Sequence, residues 1–406
     1  MLMGQTHAQA TRGMESYGIE GYGKNPVVYA CVDFLSNAFA RIPLYIYDKN
    51  GEKIEDHPLQ KLLDQPNSDQ GGVEYKVAAS SWLLLTGNCF QQKLMVGSTP
   101  SELMLWEPQS FTIERQKGNP MPLRYIFGKS TPAQRMFDVD RFTGQSDIIH
   151  WRTFNPDPRE YEFGQSPMKA ASLSVDGSNE SRNWNFQSLK NSGSYSLLVT
   201  TEKPVTPKEQ QNQEQQLYEK WAGPQNANKI KFMGSASKVQ SISMTAKDME
   251  WSQGLRMSAQ EICMVYGVPS QLIGLDGSQT YANYEQAQIA VYVNRVLPLL
   301  DLFCSEITRG VAYHFGEGLK VGYNQDDIPA LEPLRRERRK ELLASNVLSI
   351  NQKLELIGYP TRSEPEADQV FVQPSDIPLD ETFADPEDVE EDDQDDQDII
   401  DDGEEE

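Results

Sequence analysis

The residues able to do chemistry are few, and their spacing does not gather them into a site. The four cysteines, Cys31, Cys89, Cys263 and Cys304, form no CxxC pair, and each sits in an apolar context. They read as core thiols of a reducing compartment, and no paired ligands are present on which to build a zinc site. The four histidines, His7, His57, His150 and His314, share no spacing that suits a metal or a catalytic triad. Asp326-Asp327 and the C-terminal carboxylates could hold a divalent cation, but adjacent carboxylates without a convergent scaffold read as solvated surface. Asp248 and Glu250 are two apart on a predicted helix and so do not share a face. No GxxxxGK[ST] loop, HExxH or GxSxG occurs, and Gly18, Gly21 and Gly23 do not follow the GxGxxG order. The chain therefore reads as a non-enzyme, with no cofactor and no metal.

The elements around these residues are readable from caps and periodicity. NPVVYACVDFLSNAFARIP (25–43) predicts a helix, with Asn25 as cap, Pro26 in the first turn and Val27, Cys31, Phe34, Leu35 and Ala38 on one face. A strand, an Asn50-Gly51 turn and a second strand come next. Residues 57–67 predict a short helix closed by Pro66, and 73–90 a helix ending at Gly87-Asn88. CFQQKLMV, ELMLWEP, FTIERQ, LRYIF and DIIHWR then alternate with turns as strands, so 25–155 reads as one α+β domain. Ser166-Pro167 opens a long helix closed by Gly193. Residues 194–244 predict a small β-α-β-β unit, with a helix over 206–223 and short strands KIKFM and VQSISM. Further helices are predicted over 247–267 and from Tyr284 to His314, the latter bent by Pro298. Between them VPSQLIG breaks the chain and LDGSQTYANYEQ forms a polar loop. Two short helices lie within 329–358. Trp82, Trp106, Trp151, Trp184, Trp221 and Trp251 read as core or subunit-interface residues, and Met249, Met257 and Met264 as helix packing.

The chain has 406 residues and a net charge of −23, and its 38% apolar content with 28 glycines is near the globular norm. Collagen-like, coiled-coil and wholly disordered classes are excluded. No uninterrupted apolar stretch reaches the roughly 20 residues of a membrane span. The first residues lack a charged region followed by an apolar core, so a soluble chain made in a cytoplasm is expected. Of the 60 acidic residues, 16 lie within 381–406, which has no Lys or Arg, so the preceding 380 residues carry only 44 against 37. That tail is expected to be a disordered, solvating appendage, or in a sharper reading one that repels polyanions. The basic run Arg335, Arg336, Arg338, Arg339 and Lys340 is broken by Glu337 and Glu341. It reads as a solvated helix face, with pairing to the acidic tail or contact with DNA as the two further readings.

Seven segments, in order, resemble the portal (head–tail connector) proteins of tailed bacteriophages, in the branch typified by phage HK97. NPVVYACVDFLSNAFARIPLYIYDKNG (25–51) has the family's helix, proline, apolar strand and hairpin. HPLQKLLDQPN (57–67) is similar to its HPL…LL…PN, and LLLTGNCF (83–90) to its L-x-x-G-N-A-Y. GQSPMKAA (164–171) is similar to G-x-S-P-L, and SAQEICMVYGVPSQLIG (258–274) to E-I-A-x-x-F-G-V-P-x-x-L-L-G. NYEQAQIAVYVNRVLP (283–298) resembles N-x-E-Q…F…T-L-x-P. SINQKLELIGYP (349–360) resembles a terminal N-E-x-R-x-x-x-G-x-P, with Gln352 and Leu354 replacing the Glu and Arg.

The resemblance implies an α+β portal fold and a homo-oligomeric ring, usually of twelve subunits, at one capsid vertex with double-stranded DNA passing through its axis. It implies a flexible N-terminal arm (1–24), a wing (25–165), a first stem helix (166–192), a clip (193–245), a second stem helix (246–267), a channel-loop region (268–283), a long helix returning to the wing (284–328), a short crown (329–360) and a disordered acidic tail (361–406). Asp276, Gly277, Ser278, Gln279, Thr280, Tyr281 and Asn283 would line the channel. Loop 275–286 has no Lys or Arg, and Asp276 and Glu285 add repulsion, so DNA would be contacted weakly and not held. Without the resemblance, this loop reads as a plain helix–helix connection. Lys208, Glu209, Gln213, Lys220, Lys229 and Lys231 would face the packaging motor. The implied partners are the terminase large subunit, the major capsid protein with or without scaffold, and a head–tail adaptor, in the virion and, during assembly, the host cytoplasm; no membrane is implied. An adaptor or connector ring, or an enzyme with an unrecognised site, remain the alternatives.

Overall fold

The computed structural model describes residues 17–115, 121–190, 197–201, 237–241, 251–275, 280–344, 348–372 and 377–378. The chain divides into two compact units, 1–330 and 331–406. In the first, α1 (Pro26–Ala40) starts where its cap dictates: the Asn25 side chain accepts from Val27 N and Val28 N, and Pro26 sits where a missing N–H is tolerated. Val27, Cys31, Val32, Leu35 and Phe39 are buried along it. β1 (Tyr45–Tyr47) and β2 (Lys53–Ile54) form the expected hairpin, whose turn is fixed by Asp48 Oδ1 accepting from Asn50 N and Glu52 N, each at 2.8 Å. α2 (Pro58–Asp64) is capped by His57, whose Nδ1 accepts from Leu59 N. α3 (Gly72–Thr86) stops at Gly87.

Six strands come next: β3 (Asn88–Val96), β4 (Thr99–Trp106), β5 (Phe111–Arg115), β6 (Pro122–Phe127), β7 (Arg135–Asp138) and β8 (Ile148–Arg152). They make two antiparallel sheets, ordered β4-β3-β8 and β5-β6-β7. Apolar side chains of both sheets share one cluster of Phe90, Phe111, Ile113, Tyr125, Phe137, Val139 and Ile148. Phe90 stacks between Phe111 (4.2 Å) and the His150 ring (4.1 Å). β7 is not announced by the sequence, because its two apolar residues, exposed Met136 and buried Phe137, are too short a run to show alternation.

α4 (Pro167–Ala170), capped by the Ser166 hydroxyl, leads into α5 (Ser172–Lys190). β9 (Leu197–Thr201) and β10 (Ser237–Ser241) pair as an antiparallel ribbon, Thr201 opposite Ser237. The predicted helix 206–223 and strand KIKFM lie outside the described residues. α6 (Trp251–Tyr266) packs on both α5 and α1. α7 (Tyr281–Val291), a wide π-type turn over Tyr292–Val296, and α8 (Leu297–Gly310) succeed one another directly. Pro298 lies just past the wide turn, where the regular bonding pattern is already interrupted. β11 (Lys320–Gly322), too short to be read from sequence, pairs with β1 in the order β11-β1-β2. The helical run from Tyr281 to His314 is long and apolar enough to cross a membrane by length and composition. One side of it faces the core: Val291, Val296, Leu300, Phe303 and Ile307 are buried, and Phe303 packs edge-on between Phe39 (5.5 Å) and Trp151 (4.9 Å).

Three expectations are corrected in this unit. Residues Tyr17–Tyr22 form a wide helical turn with Gly21 buried, where a loose arm was expected, because Asn179 Nδ2 donates to Glu20 O at 2.9 Å and pins it; residues 1–16 lie outside the described residues. The helix expected from Tyr284 starts at Tyr281. Met257 and Met264, expected to pack, are 55% and 76% exposed, since the buried side of α6 is formed by Ala259, Ile262, Cys263 and Tyr266. Met249 lies outside the described residues.

The second unit holds α9 (Glu332–Ala344) and α10 (Ile350–Leu356). Ser349 and Gln352 make a reciprocal capping box at the start of α10, so the Gln that departs from the family's Glu still performs a capping role. Asn351 Nδ2 donates to Arg362 O (3.0 Å) and to Asp368 Oδ1 (2.7 Å), folding the chain after α10 back on its start. A 3-10 turn (Pro365–Asp368) and a short ribbon, β12 (Phe371–Val372) with β13 (Ile377–Pro378), follow where a disordered tail was expected from residue 361, the turn being held by the Asn351 bonds; 379–406 lie outside the described residues.

Candidate functional site

Two segments far apart in sequence, 83–90 and 164–171, close on each other at the root of α5. Asn88 Oδ1 accepts from Gly164 N (2.6 Å) and stands 3.0 Å from His150 Nε2, while Asn88 Nδ2 donates to Thr86 O (2.8 Å) and Gly164 O (3.2 Å). An amide oxygen can only accept, so His150 carries its proton on Nε2. Burial, reinforced by Arg152, Arg115 and Arg309, holds that imidazole well below its usual range and keeps it neutral. Thr153 N donates to Gly87 O (3.0 Å), Thr153 Oγ1 to Gln165 O (2.7 Å), and Ser166 Oγ to Leu85 O. Gly87 has φ 75°, and its absent Cβ would meet the Gln165 backbone at 2.5 Å; a Cβ on Gly164 would overlap the Gly87 carbonyl oxygen. Two backbones can approach this closely only where both residues lack side chains.

The pair α5 and α6 rises from this junction. Asn25, besides capping α1, donates from Nδ2 to Asn179 Oδ1 of α5 (3.1 Å). Tyr266 OH donates to Leu84 O (3.4 Å), and Cys263 hydrogen-bonds to Cys31, which together with burial pushes the Cys31 thiol up. All four cysteines are buried and none is in a disulfide, as expected of core thiols. At the C-terminal end of α6, beside this junction, the chain turns at Gly267, φ 67°, and the last carbonyls are taken by a side chain from beyond α7: Arg295 Nε donates to Tyr266 O (2.8 Å) and its Nη2 to Val265 O (2.6 Å). Gln271 Nε2 adds a bond to Asn283 O at 3.2 Å.

The expected channel residues fall only partly in view. Asp276, Gly277, Ser278 and Gln279 lie outside the described residues. Thr280 is the N-cap position of α7, with no side-chain cap bond; Tyr281 is 80% exposed, and Asn283 is exposed with its carbonyl bonded to Gln271. The expected motor-facing residues Lys208, Glu209, Gln213, Lys220, Lys229 and Lys231 all lie outside the described residues. Arg335, Arg336, Arg338, Arg339 and Lys340 ride on α9; Arg335 pairs with Glu332 at 2.9 Å and the other four are exposed. Asp326-Asp327 sit in a short 3-10 turn, where Asp327 Oδ2 accepts from Tyr45 OH (2.8 Å). Among the described residues no three His, Cys, Asp or Glu side chains gather to hold a metal. An open groove of about 540 Å³ beside α8 and β11 offers Asp301, already bonded to Tyr323 OH, and no acid–base pair.

Sequence reasoning missed the buried cations. Lys93 Nζ donates to Gly310 O (2.9 Å), Tyr313 OH (3.3 Å) and His314 Nε2 (3.2 Å), and so closes the C-terminus of α8. An ammonium can only donate, so His314 Nε2 accepts and its Nδ1–H points to Ser98 O at 2.9 Å. Lys76 Nζ donates to Ile42 O at 2.8 Å. Burial brings both lysines down to about 8. The one available signal for Lys93 was that it is the single charged residue of its strand.

A family model for "Phage portal protein" matches residues 26–358. The chain belongs to the phage portal protein family. An uncharacterized protein of Rickettsia bellii is 30% identical over 351 residues, covering 84% of this chain and 89% of its own. The neck of an empty gene transfer agent particle, solved with sixfold symmetry, is 25% identical with a TM-score of 0.66, covering 87% of this chain and 95% of that one; the native neck, solved with twelvefold symmetry, has the same fold at 24% identity and a TM-score of 0.63, covering 86% and 94%. An HK97-family phage portal protein from Corynebacterium diphtheriae shares the fold at 14% identity and a TM-score of 0.54, covering 75% and 95%. The portal family is structural and not enzymatic, in agreement with the reading of the sequence, and this chain is a portal-type connector component of mixed helix and sheet. Five of the seven portal-like segments, residues 25–51, 83–90, 164–171, 258–274 and 283–298, meet one another in the bonds described above.

Proposed function

We propose that this portal-family chain assembles into a ring, twelve copies in the simplest case, at one vertex of a capsid or capsid-like particle, where double-stranded DNA passes through its axis during packaging and ejection. The observation that carries the reading is the family match over 26–358, and the sixfold and twelvefold necks sharing this fold support the ring. In this reading α5 and α6 are the stem, 193–245 the clip that docks the terminase motor, and 25–165 the wing that meets the capsid protein. The segment 275–286 faces the channel, and a head–tail adaptor docks after packaging. A neutral-to-acidic loop suits a conduit, because each phosphate neutralised by a fixed cation adds affinity that would stall movement. The stem surface also carries apolar side chains that a ring would cover: Leu173 is 82% exposed on α5, and Met257 and Met264, seven residues apart, line one side of α6. The experiment is native mass spectrometry of the purified chain, with negative-stain images of the same sample. Particles of about a dozen copies with a central hole are expected. A monomer that also fails to form rings when co-expressed with its capsid protein would overturn the reading.

A further inference from the structure

The end of α6 is completed by a side chain belonging to another helix. A helix leaves its last carbonyls without intrahelical partners and with a partial negative charge. Here Arg295 supplies both a cation and a planar fork, giving one donor each to Val265 O and Tyr266 O. Gly267 makes room for it: a Cβ there would overlap Arg295 Nε, and a side chain would be strained at φ 67°. Arg295 itself lies in the wide turn Tyr292–Val296. The extra residue of that turn rotates the helix face by about 100° relative to regular α register, which gives residue 295 a direction a regular helix would not. One guanidinium thus ties the end of α6 to the turn that follows α7, closing the chain between them.

We propose that Arg295 is a positioning residue: with Gly267 as its socket, it fixes where the chain leaves α6 and so sets the placement of 268–275 and of the start of α7. This rests on the conduit reading only for its consequence, that 275–286 then faces DNA at a fixed height. Lysine should not replace it, since an ammonium is a point charge on a flexible stem and does not reproduce the planar fork that meets two successive carbonyls in fixed geometry.

The test is amide hydrogen exchange on the full chain, with Arg295→Ala, Gly267→Ala and the double variant. Arg295→Ala should raise exchange at 268–275 at least tenfold while the amides of α1 keep wild-type protection. Gly267→Ala, which retains the arginine but displaces it, should do the same, and the double variant should be no worse than the larger single effect. Guanidinium ion at low millimolar concentration should restore protection in Arg295→Ala and leave Gly267→Ala unchanged. A merely structural arginine would loosen α1 along with 268–275 and show additive effects. Unchanged exchange at 268–275 in both single variants would overturn the proposal; should Arg295→Ala fail to fold, Gly267→Ala and Arg295→Lys decide by the same readout. DNA packaged per particle, measured beside ring mass, should fall in Arg295→Ala with rings intact. Wild-type chain that forms no ring and packages no DNA would sink the conduit reading, while the exchange data would still decide the role of Arg295.

Discussion

Lys76 and Lys93 keep their ammonium groups inside the body, satisfied by carbonyls, a phenol and an imidazole, at the expense of desolvation. Burial lowers each from the ordinary 10.5 to about 8. Between those two pH values each lysine binds more protons in the unfolded chain than in the folded one, so its own contribution to stability rises with pH and its burden is full below about 8; the buried thiols Cys31, Cys89 and Cys304, pushed up on folding, act in the opposite sense as pH rises. Each lysine should contribute on the order of 2 kcal/mol to that rise once solvent screening is allowed for. Chemical denaturation of wild type and Lys93→Met at pH 7.5, 9 and 10.5 should show the wild type gaining stability relative to the variant as pH rises, the difference in slope being the lysine's own. An unchanged slope in Lys93→Met would mean that the ammonium stays hydrated.

Where elements meet, the tightest joint is Gly87 against Gly164. The C-terminus of α3, the start of β3 and the root of α5 converge there, and the clash a Cβ would cause is with backbone, which cannot swing aside as a side chain could. Gly164→Ala should cost about 3 kcal/mol or more in urea denaturation. It should also weaken the Asn88 bonds to Gly164 N and O that seat α5 on the body. A substitution within ~0.5 kcal/mol of wild type would show that the two backbones can separate without loss. By contrast, the caps at Asn25, Ser166 and Ser349 are local devices, readable three or four residues at a time.

For the whole molecule, the exposed apolar side chains of α5 and α6 matter most. Met264 at 76% and Leu173 at 82% exposure leave an isolated chain with a surface better covered than wetted. A closed ring of heterologous contacts covers the same face in every copy. Met264→Glu should therefore move the native mass from ring toward monomer without changing the melting temperature of the monomer, as measured by native mass spectrometry and differential scanning fluorimetry. A ring population equal to wild type would remove this face of α6 from the interface.

What the sequence by itself determined is local: helix starts at their caps, helix ends at Gly87 and Gly267, the β1–β2 turn, the core thiols, and a resemblance to the portal family that the match over 26–358 upholds. These arise from bonds between residues a few positions apart, which short-range patterns encode. Tertiary structure decided which distant groups meet. Lys93 reaches Gly310, Asn88 reaches Gly164, and Arg295 reaches back to Tyr266 across the intervening turn. It also added β7 and β11, whose few residues acquire strand conformation from the neighbours they pair with, and it turned Met257 and Met264 outward. No periodicity in one segment can report these features, because each is set by the partner that a second segment brings into register.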